Sequence, residues 1–199
     1  MQDYSAFKDL LRFLARLYVA EGRPGGDEAA AALRSALADF PGELPEPYNY
    51  MPGMAEAALA LDPHPEAGIV AAALPQIRWF HVVDSMASIG TEMGSRMLVC
   101  ELIGPTGMIR RESARVGLFV QCPNLEYATR KHGAEETYII LGGEAYWSKG
   151  GSEPVLKKAG DVVFHPSYMP HTNRTADKPT IATWRWSGDI RYEAYACTG

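Results

Sequence analysis

Residues 132–143 read HGAEETYIILGG, and residues 170–173 read PHTN. If residues 136–141 form a β-strand, Glu136 and Tyr138 point to the same face, because strand side chains alternate. His132 keeps that parity or approaches from the preceding loop. Imidazoles and carboxylates are ligands that divalent metals accept. The pattern therefore predicts a metal site formed by His132, Glu136 and His171, with Tyr138 beside it.

The composition around these motifs is that of an ordinary globular protein. The chain has 199 residues, 47% of them hydrophobic and 22% charged, which suits one large domain or one domain with an extension. The net charge is −5 and no basic cluster is present, so we expect no nucleic-acid partner. Apolar runs are too short to span a bilayer, so we expect no membrane association. Three cysteines without CxxC spacing and a charged N-terminus predict a cytoplasmic protein.

The N-terminal part of the chain has a helical pattern. Helices are predicted over residues 3–21, 28–40, 53–61 and 65–74, with Asp27 as the N-cap of the second. From Ile77 onward the chain consists of short β-rich runs that are separated by Gly and Pro clusters. This spacing is typical of an antiparallel sandwich or barrel. We therefore predict a mainly β fold, with a helical extension (residues 1–77) before a single β-barrel (residues 78–199).

The strands are expected at residues 79–83, 96–103, 116–121, 136–141, 144–147, 161–165, 180–187 and 190–196. Gly142 and Gly143 are predicted to end the central strand in a tight turn, so that residues 144–147 return as its partner. A loop after His165 is then expected to deliver His171. His165 itself lies outside the motif and is assigned a structural role.

The two-part pattern resembles the cupin superfamily over residues 78–195. His132 and Glu136 are similar to the second histidine and the glutamate of its first motif, and Gly143 to its closing glycine. Gly160 and His171 are similar to the second motif. The resemblance implies a single cupin barrel of the jelly-roll type.

Within that superfamily the chain resembles dimethylsulfoniopropionate (DMSP) lyases of the DddQ type, which place a helical extension before one cupin barrel. Tyr138, two residues after Glu136, is the discriminating feature. The resemblance implies a divalent metal (zinc, iron, manganese, cobalt or nickel) on His132, Glu136, His171 and Tyr138. It also implies a carbon–sulfur lyase that cleaves DMSP to dimethyl sulfide and acrylate by β-elimination.

The side chains suit this chemistry. Elimination needs a base, and a tyrosine near a divalent cation favours the phenolate form that can act as one. Tyr138 is the first candidate and Tyr127 the second. A sulfonium group has no hydrogen-bond donors, and aromatic faces attract such cations. Trp184 and Trp186, which share strand parity, are predicted to form the wall of its pocket.

Arg130 occupies the position where the first cupin motif has another histidine. A guanidinium has no lone pair for a metal, so Arg130 is predicted to bind a substrate carboxylate, unless a bulge turns it outward. Because an extra cation suits a more anionic substrate, an isomerase or lyase of another small carboxylate or sugar acid stays open, as does a non-enzymatic small-ligand-binding cupin. The helical extension covers the barrel or forms a homodimer.

Overall fold

The computed structural model describes residues 2–81 and 90–197. Its N-terminal part is helical, as predicted. Four helices and a 3-10 turn occur in this order: α1 (Ser5–Ala20), α2 (Pro24–Ala38), α3 (Met54–Leu59), α4 (Ala67–Ala73) and the turn Leu74–Gln76. No helix in the described ranges is long and apolar enough to cross a membrane.

The predicted start of the second helix is wrong. Asp27 is not the N-cap, because α2 already begins at Pro24 and the extended residue Arg23 precedes it. Proline is favoured in the first turn, where its missing N–H leaves no bond unmade. Gly25 lies against Ser187, and an added Cβ would come within 2.2 Å of the Ser187 hydroxyl. The start of α2 is thus packed directly onto the barrel.

The remainder of the described chain is mostly β-structure, with one short helix, α5 (Thr91–Gly94), and a 3-10 turn (Tyr192–Ala194). Its strands are β1 (Phe80–His81), β2 (Met97–Gly104), β3 (Ile109–Arg110), β4 (Arg115–Gln121), β5 (Glu126–Lys131), β6 (Ala134–Lys149), β7 (Val155–Lys158), β8 (Val162–His165), β9 (His171–Arg174), β10 (Thr180–Gly188) and β11 (Ala196–Cys197).

Most predicted strands are confirmed, and the exceptions are specific. Residues 82 and 83 of the first predicted strand lie outside the described residues. Strands β3, β5, β7 and β9 were not predicted from the sequence. The strand predicted at 190–196 is wrong, because this segment forms the 3-10 turn and only its end pairs, as β11 with β5.

The long strand β6 pairs with four other strands of the barrel. Its first half pairs with β10 and β8, and its second half pairs with β7 and β9. The strands follow the order β1-β2-β4-β10-β6-β9-β5-β11, with β3, β7 and β8 attached at the side. The fold is therefore mainly β, a single barrel with a helical N-terminal extension, as predicted.

The tight turn predicted at Gly142 and Gly143 is wrong, because β6 continues through both glycines. Gly143 has a positive φ of 66°, a backbone conformation that residues with a side chain rarely adopt. The pairing of β6 with β10 also shifts register, between Ile181 and Ala182. An added Cβ on Gly142 would lie 2.6 Å from the Ala58 carbonyl oxygen on α3. The glycines thus let one strand pass beneath a helix from one part of the barrel to the next.

Both faces of the central sheet are buried. Along β10, alternate residues face the helices or the barrel interior, as strand geometry requires. Ile181 belongs to the core shared with the helices, whereas Trp184 and Trp186 belong to the core inside the barrel. Eight consecutive residues of β10 are therefore buried, and both sides of the strand carry specific contacts.

The helical extension is fixed to the outer face of β10 by polar contacts. The Tyr18 hydroxyl lies 2.7 Å from Oγ1 of Thr183. Arg185 donates to both carboxylate oxygens of Glu21, at 2.9 and 2.5 Å, and the side chains of both residues are fully buried.

The division at residues 77/78, a homodimer and the cytoplasmic location stay predictions.

We expect Glu21→Gln to lower the free energy of unfolding by about 3 kcal/mol, because it removes the fully buried counterion of Arg185 and leaves only the partly exposed Glu135, 3.2 Å away. Equilibrium unfolding in urea measures the change. Asp9→Asn is the matched control, since the Asp9–Arg12 pair is more than half exposed. Its effect should stay below about 1 kcal/mol. Equal effects of the two variants would contradict a special role for the buried pair.

Candidate metal centre

The site is built on three neighbouring strands. In the middle strand, β6, Glu136 lies opposite Trp186 of β10 on one side and His165 of β8 on the other. Tyr138 follows on the same face and lies opposite Trp184. Directly opposed residues share a face of the sheet, so these side chains all enter the barrel interior.

Three histidines converge on one oxygen of Glu136. Its Oε2 lies 3.3 Å from Nε2 of His132, 3.2 Å from Nδ1 of His165 and 3.2 Å from Nε2 of His171. The other oxygen, Oε1, accepts a hydrogen bond of 2.7 Å from the Trp186 indole nitrogen. The four charged or titratable side chains are all buried. The carboxylate is thus oriented by Trp186 and faces the imidazoles with its free oxygen.

Backbone carbonyls orient two of these imidazoles. Nδ1 of His132 lies 3.0 Å from the Ala134 carbonyl oxygen, and Nδ1 of His171 lies 2.8 Å from that of Met169. An Nδ1–H that donates to a carbonyl leaves a lone pair on Nε2, and this is the arrangement found in metal-ligating histidines. His132 approaches from the loop between β5 and β6. His171 is not delivered by a loop as predicted, because it is the first residue of β9.

The donor set suits a metal ion. The ligand atoms of His132, Glu136 and His171 all lie within 4.8 Å of one another. A tetrahedral metal with bonds of about 2.0–2.1 Å places its ligand atoms roughly 3.3 Å apart, close to the observed distances from Oε2. Lone pairs that face one another at this distance repel unless a cation lies between them. Within the described chain, Nε2 of His171 also has no hydrogen-bond partner.

The protonation states agree with this use. Burial lowers the pKa of His171 to about 3, so its imidazole is neutral at neutral pH. Burial alone would raise the pKa of Glu136, but His132 and the other surrounding histidines outweigh it and hold this pKa well below its usual range. A neutral imidazole and an ionised carboxylate are the forms that bind metals.

His165 lies closer to the site than its predicted structural role implied. Its ring stacks on that of His171, with centroids 3.9 Å apart and planes 12° apart, and Nδ1 faces Glu136. It does not belong to the trio of His132, Glu136 and His171, whose ligand atoms all lie within 4.8 Å of one another. Only the pairing of β8 with β6 places it there, so the sequence motif contained no signal for it.

Arg130 points inward and is only 1% exposed, so the outward orientation that a bulge would allow is not adopted, although β5 does shift register against β9 just before it. Its guanidinium lies 3.7 Å above the Tyr127 ring. Nη2 donates to Oδ1 of Asn173 at 2.9 Å, and Asn173 in turn donates to Gln121. Among the described residues, Nη1 has no hydrogen-bond partner.

The site opens into a narrow cavity of about 40 Å³. The residues that the sequence predicted here and that do line it are Tyr127, Arg130, Glu136, Tyr138, Trp184 and Trp186. Four further residues of the cavity wall were not predicted from the sequence: Val99, Phe119, Tyr192 and Tyr195. A wider cavity of about 480 Å³ adjoins it and shares Val99, Trp184 and Tyr192 with it. The inner cavity is therefore aromatic, with one cation and one carboxylate in its wall.

Tyr195 was missed because its segment was predicted to be a strand. The 3-10 turn and β11 instead position Tyr195 beside the site. Its ring lies 5.9 Å from the His132 ring and is nearly parallel to it. Its hydroxyl lies 2.8 Å from the hydroxyl of Tyr127. Pairing between the C-terminal residues and β5 determines this position, and no local motif encodes it.

The two candidate bases are phenols in a low-dielectric interior. Burial raises the pKa of Tyr127 to about 12, against the effect of Arg130. Burial, and then the negative charge of Glu136, raise the pKa of Tyr138 well above its usual value. Both residues are thus protonated at neutral pH unless a cation is close to them.

Known proteins resemble this chain in both sequence and fold. A family model described as DMSP lyase matches residues 29–182, which include His132, Glu136, His171 and Tyr138 and end just before Trp184 and Trp186. The chain belongs to the DMSP lyase family. The matched range also includes most of α2 and the shorter helices, so the family resemblance is not confined to the barrel.

Individual relatives agree with the family. The chain is 35% identical to the DMSP lyase DddQ of Ruegeria pomeroyi over 125 residues, which are 63% of this chain and 61% of that protein. The aligned part of the chain therefore spans less than two thirds of the length of this relative.

Two solved structures resemble the whole fold. The crystal structure of DddQ from Ruegeria pomeroyi has a TM-score of 0.63 and 27% identity, and the match covers 93% of this chain and 96% of that one. A chain from the crystal structures of the DMSP lyases RdDddP and RnDddQII also has a TM-score of 0.63, at 23% identity, with 95% and 100% covered.

Addition of zinc to metal-free protein should raise the midpoint of thermal unfolding, because a ligand that binds only the folded state stabilises it. His171→Ala and Glu136→Ala should abolish this rise. His165→Ala should still show the rise, but its affinity for zinc should fall about tenfold or more. The loss of a residue that orients a metal ligand usually reduces metal affinity by this factor. Differential scanning fluorimetry and metal analysis measure the two quantities.

His64→Ala is the control, since His64 packs on Phe13 in the helical layer, outside the cavity. This variant should respond to zinc as the wild type does. An unchanged zinc response in the His171 and Glu136 variants would show that the metal binds elsewhere.

Proposed function

We propose that this protein is a metal-dependent DMSP lyase that cleaves DMSP to dimethyl sulfide and acrylate. The observation that carries the proposal is the position of Tyr138. It shares a strand face with Glu136, and both residues line the same aromatic cavity. Membership of the DMSP lyase family supports the same substrate.

His132, Glu136 and His171 are the proposed metal ligands, with Tyr138 as a fourth. Imidazole and carboxylate donors suit zinc, iron, manganese, cobalt and nickel, and donor type alone does not choose among them. When bound, the metal supplies a Lewis acid that stabilises developing negative charge and favours the phenolate form of a nearby tyrosine.

A tyrosine of the cavity removes the proton from the carbon next to the substrate carboxylate. The electron pair of that C–H bond forms the new carbon–carbon double bond, and the carbon–sulfur bond breaks with its pair going to sulfur. Acrylate and dimethyl sulfide result, and the proton stays on the tyrosine. Tyr138 is our first candidate for this base because it lies beside Glu136. Tyr127 is the second, and the Tyr195 hydroxyl fixes its phenol.

The tryptophans are suited to the sulfonium end of the substrate. The indole nitrogen of Trp184 donates to the Leu118 carbonyl at 3.2 Å, and that of Trp186 donates to Glu136. With their N–H groups bound to the barrel, both rings are held in place, at 70° to each other. Rigid aromatic faces attract a desolvated cation that cannot form hydrogen bonds.

Arg130 supports a second candidate, an isomerase or lyase of another small carboxylate or sugar acid. A buried cation in the cavity suits a substrate with more negative charge than DMSP. A screen of small carboxylates and sugar acids with metal-loaded protein, followed by NMR, distinguishes this candidate from the first. Turnover of such a compound without release of dimethyl sulfide from DMSP would favour it.

Tyr138→Phe should reduce the release of dimethyl sulfide from DMSP at least about 100-fold, since a general base contributes 10²–10⁴-fold. Gas chromatography measures the product, and metal analysis of each variant accompanies it. Tyr127→Phe is measured in parallel. The base is the tyrosine whose variant retains its metal and loses turnover.

Tyr146→Phe is the control for these substitutions. Tyr146 lies on the same strand but outside the cavity, with the Arg174 guanidinium over its ring. Its loss of hydroxyl should leave turnover unchanged. The lyase proposal fails if wild-type protein loaded with each of the five metals releases no more dimethyl sulfide than the Tyr138 variant.

A further inference from the structure

Arg130 differs from the other buried arginines in its partners. Arg115 has a carboxylate partner at 2.7 Å (Glu101), and Arg185 has Glu21 at 2.5 Å. In the described part of the chain, Arg130 has no carboxylate within the 4.0 Å of an ion pair. Its partners are the amide oxygen of Asn173, the ring face of Tyr127 and the phenol of Tyr138, and none of these groups is a carboxylate.

A cation buried without a counterion is costly. Desolvation of a guanidinium costs several kcal/mol, and an amide oxygen and an aromatic face offset only part of that. Nη1 additionally has no hydrogen-bond partner among the described residues. Buried polar groups are nearly always paired, and an exception needs an explanation such as a ligand. The partner that this guanidinium lacks is an anion.

The place of Arg130 in the barrel decides which anion reaches it. It lines the same cavity as Glu136 and Tyr138, and it lies directly across from His171 in the pairing of β5 with β9. Its free nitrogen therefore belongs to the wall of the proposed active site. The cavity is narrow and otherwise aromatic, so it suits a small aliphatic carboxylate better than a large or highly charged anion.

We infer that Arg130 is the carboxylate-binding residue of this site and that it binds short aliphatic carboxylates without any help from the metal. The first cupin motif has a histidine at this position, and an imidazole can serve as a metal ligand. A planar guanidinium instead recognises a carboxylate through parallel hydrogen bonds. The identity of that carboxylate as the DMSP carboxylate rests on the proposed function, whereas the binding itself does not.

Binding of the carboxylate by Arg130 also orients the substrate. A guanidinium attracts the carboxylate and repels a sulfonium, so the cationic end must lie away from Arg130, toward the indole faces of Trp184 and Trp186. The carbon that loses its proton then lies next to the end held by Arg130, and both tyrosines line the cavity beside it.

The experiment uses full-length protein from which metal has been removed by a chelator. Isothermal titration calorimetry with propionate and acrylate should detect binding to the wild type. Arg130→Gln should weaken it at least about tenfold, because the charged partner of the carboxylate is lost. Arg130→Lys, which keeps the charge without the fork of donors, should fall between the two.

Arg78→Gln is the matched control. Arg78 lines the adjoining outer cavity, so this variant removes one positive charge near the entrance without touching the inner site. It should bind propionate as the wild type does. The inference is overturned if metal-free wild type does not bind propionate while metal-loaded protein does, or if Arg130→Gln binds as tightly as the wild type.

A second measurement stays decisive if the Arg130 variants do not fold. Propionate should raise the thermal unfolding midpoint of metal-free wild type, whereas propionamide, its neutral isostere, should not. Equal protection by both compounds would contradict recognition by a charge. A lack of protection by either would also overturn the inference.

The outcome is separable from that of the lyase proposal. Propionate binding that depends on Arg130, without release of dimethyl sulfide from DMSP, leaves the inference standing and refutes the proposed function. Release of dimethyl sulfide with an unchanged KM in Arg130→Gln supports the proposed function and refutes the inference. Support for both requires a raised KM together with the loss of propionate binding.

Discussion

The buried pair of Glu21 and Arg185 joins the helical layer to the barrel at the strand next to the site. Arg185 lies on the outer face of β10, and its neighbours Trp184 and Trp186 lie on the inner face. Because the sheet alternates, the position of the outer residues fixes that of the inner ones. The same carboxylate also accepts from Thr137, which lies between Glu136 and Tyr138 on β6. The helices are thus bonded to β10 and β6, two of the strands that carry the site.

Inside the barrel, one carboxylate organises the polar groups. Glu136 uses one oxygen to fix Trp186 and directs the other at three histidines. Buried imidazoles and a buried carboxylate are costly without partners, and here each supplies part of what the others need. An arrangement of mutually facing lone pairs is stable with a cation among them, so the local polar network and the proposed metal site are one feature.

The aromatic residues give this network its cavity. The rings of Trp184 and Trp186 come from the sheet, whereas Tyr192 and Tyr195 come from the C-terminal turn. The pair of Arg115 and Glu101 holds that turn, since Arg115 donates to the Ile190 carbonyl and Tyr192 donates to Glu101. Sheet and chain end together therefore enclose a small volume in which a single unpaired cation, Arg130, has a large electrostatic effect.

The sequence alone determined the helical extension, most strands and the trio with Tyr138, because helical spacing, strand parity and short motifs are local properties of the chain. It also placed Trp184 and Trp186 on one face for the same reason. Only the tertiary structure brought in His165 and Tyr195, since each reaches the site through strand pairing across a large sequence separation. The continuation of β6 through Gly142 and Gly143 was likewise decided by tertiary contacts, because a pair of glycines by itself favours a turn. Here α3 packs against Gly142 and the Pro179 backbone against Gly143, and neither contact leaves room for a side chain.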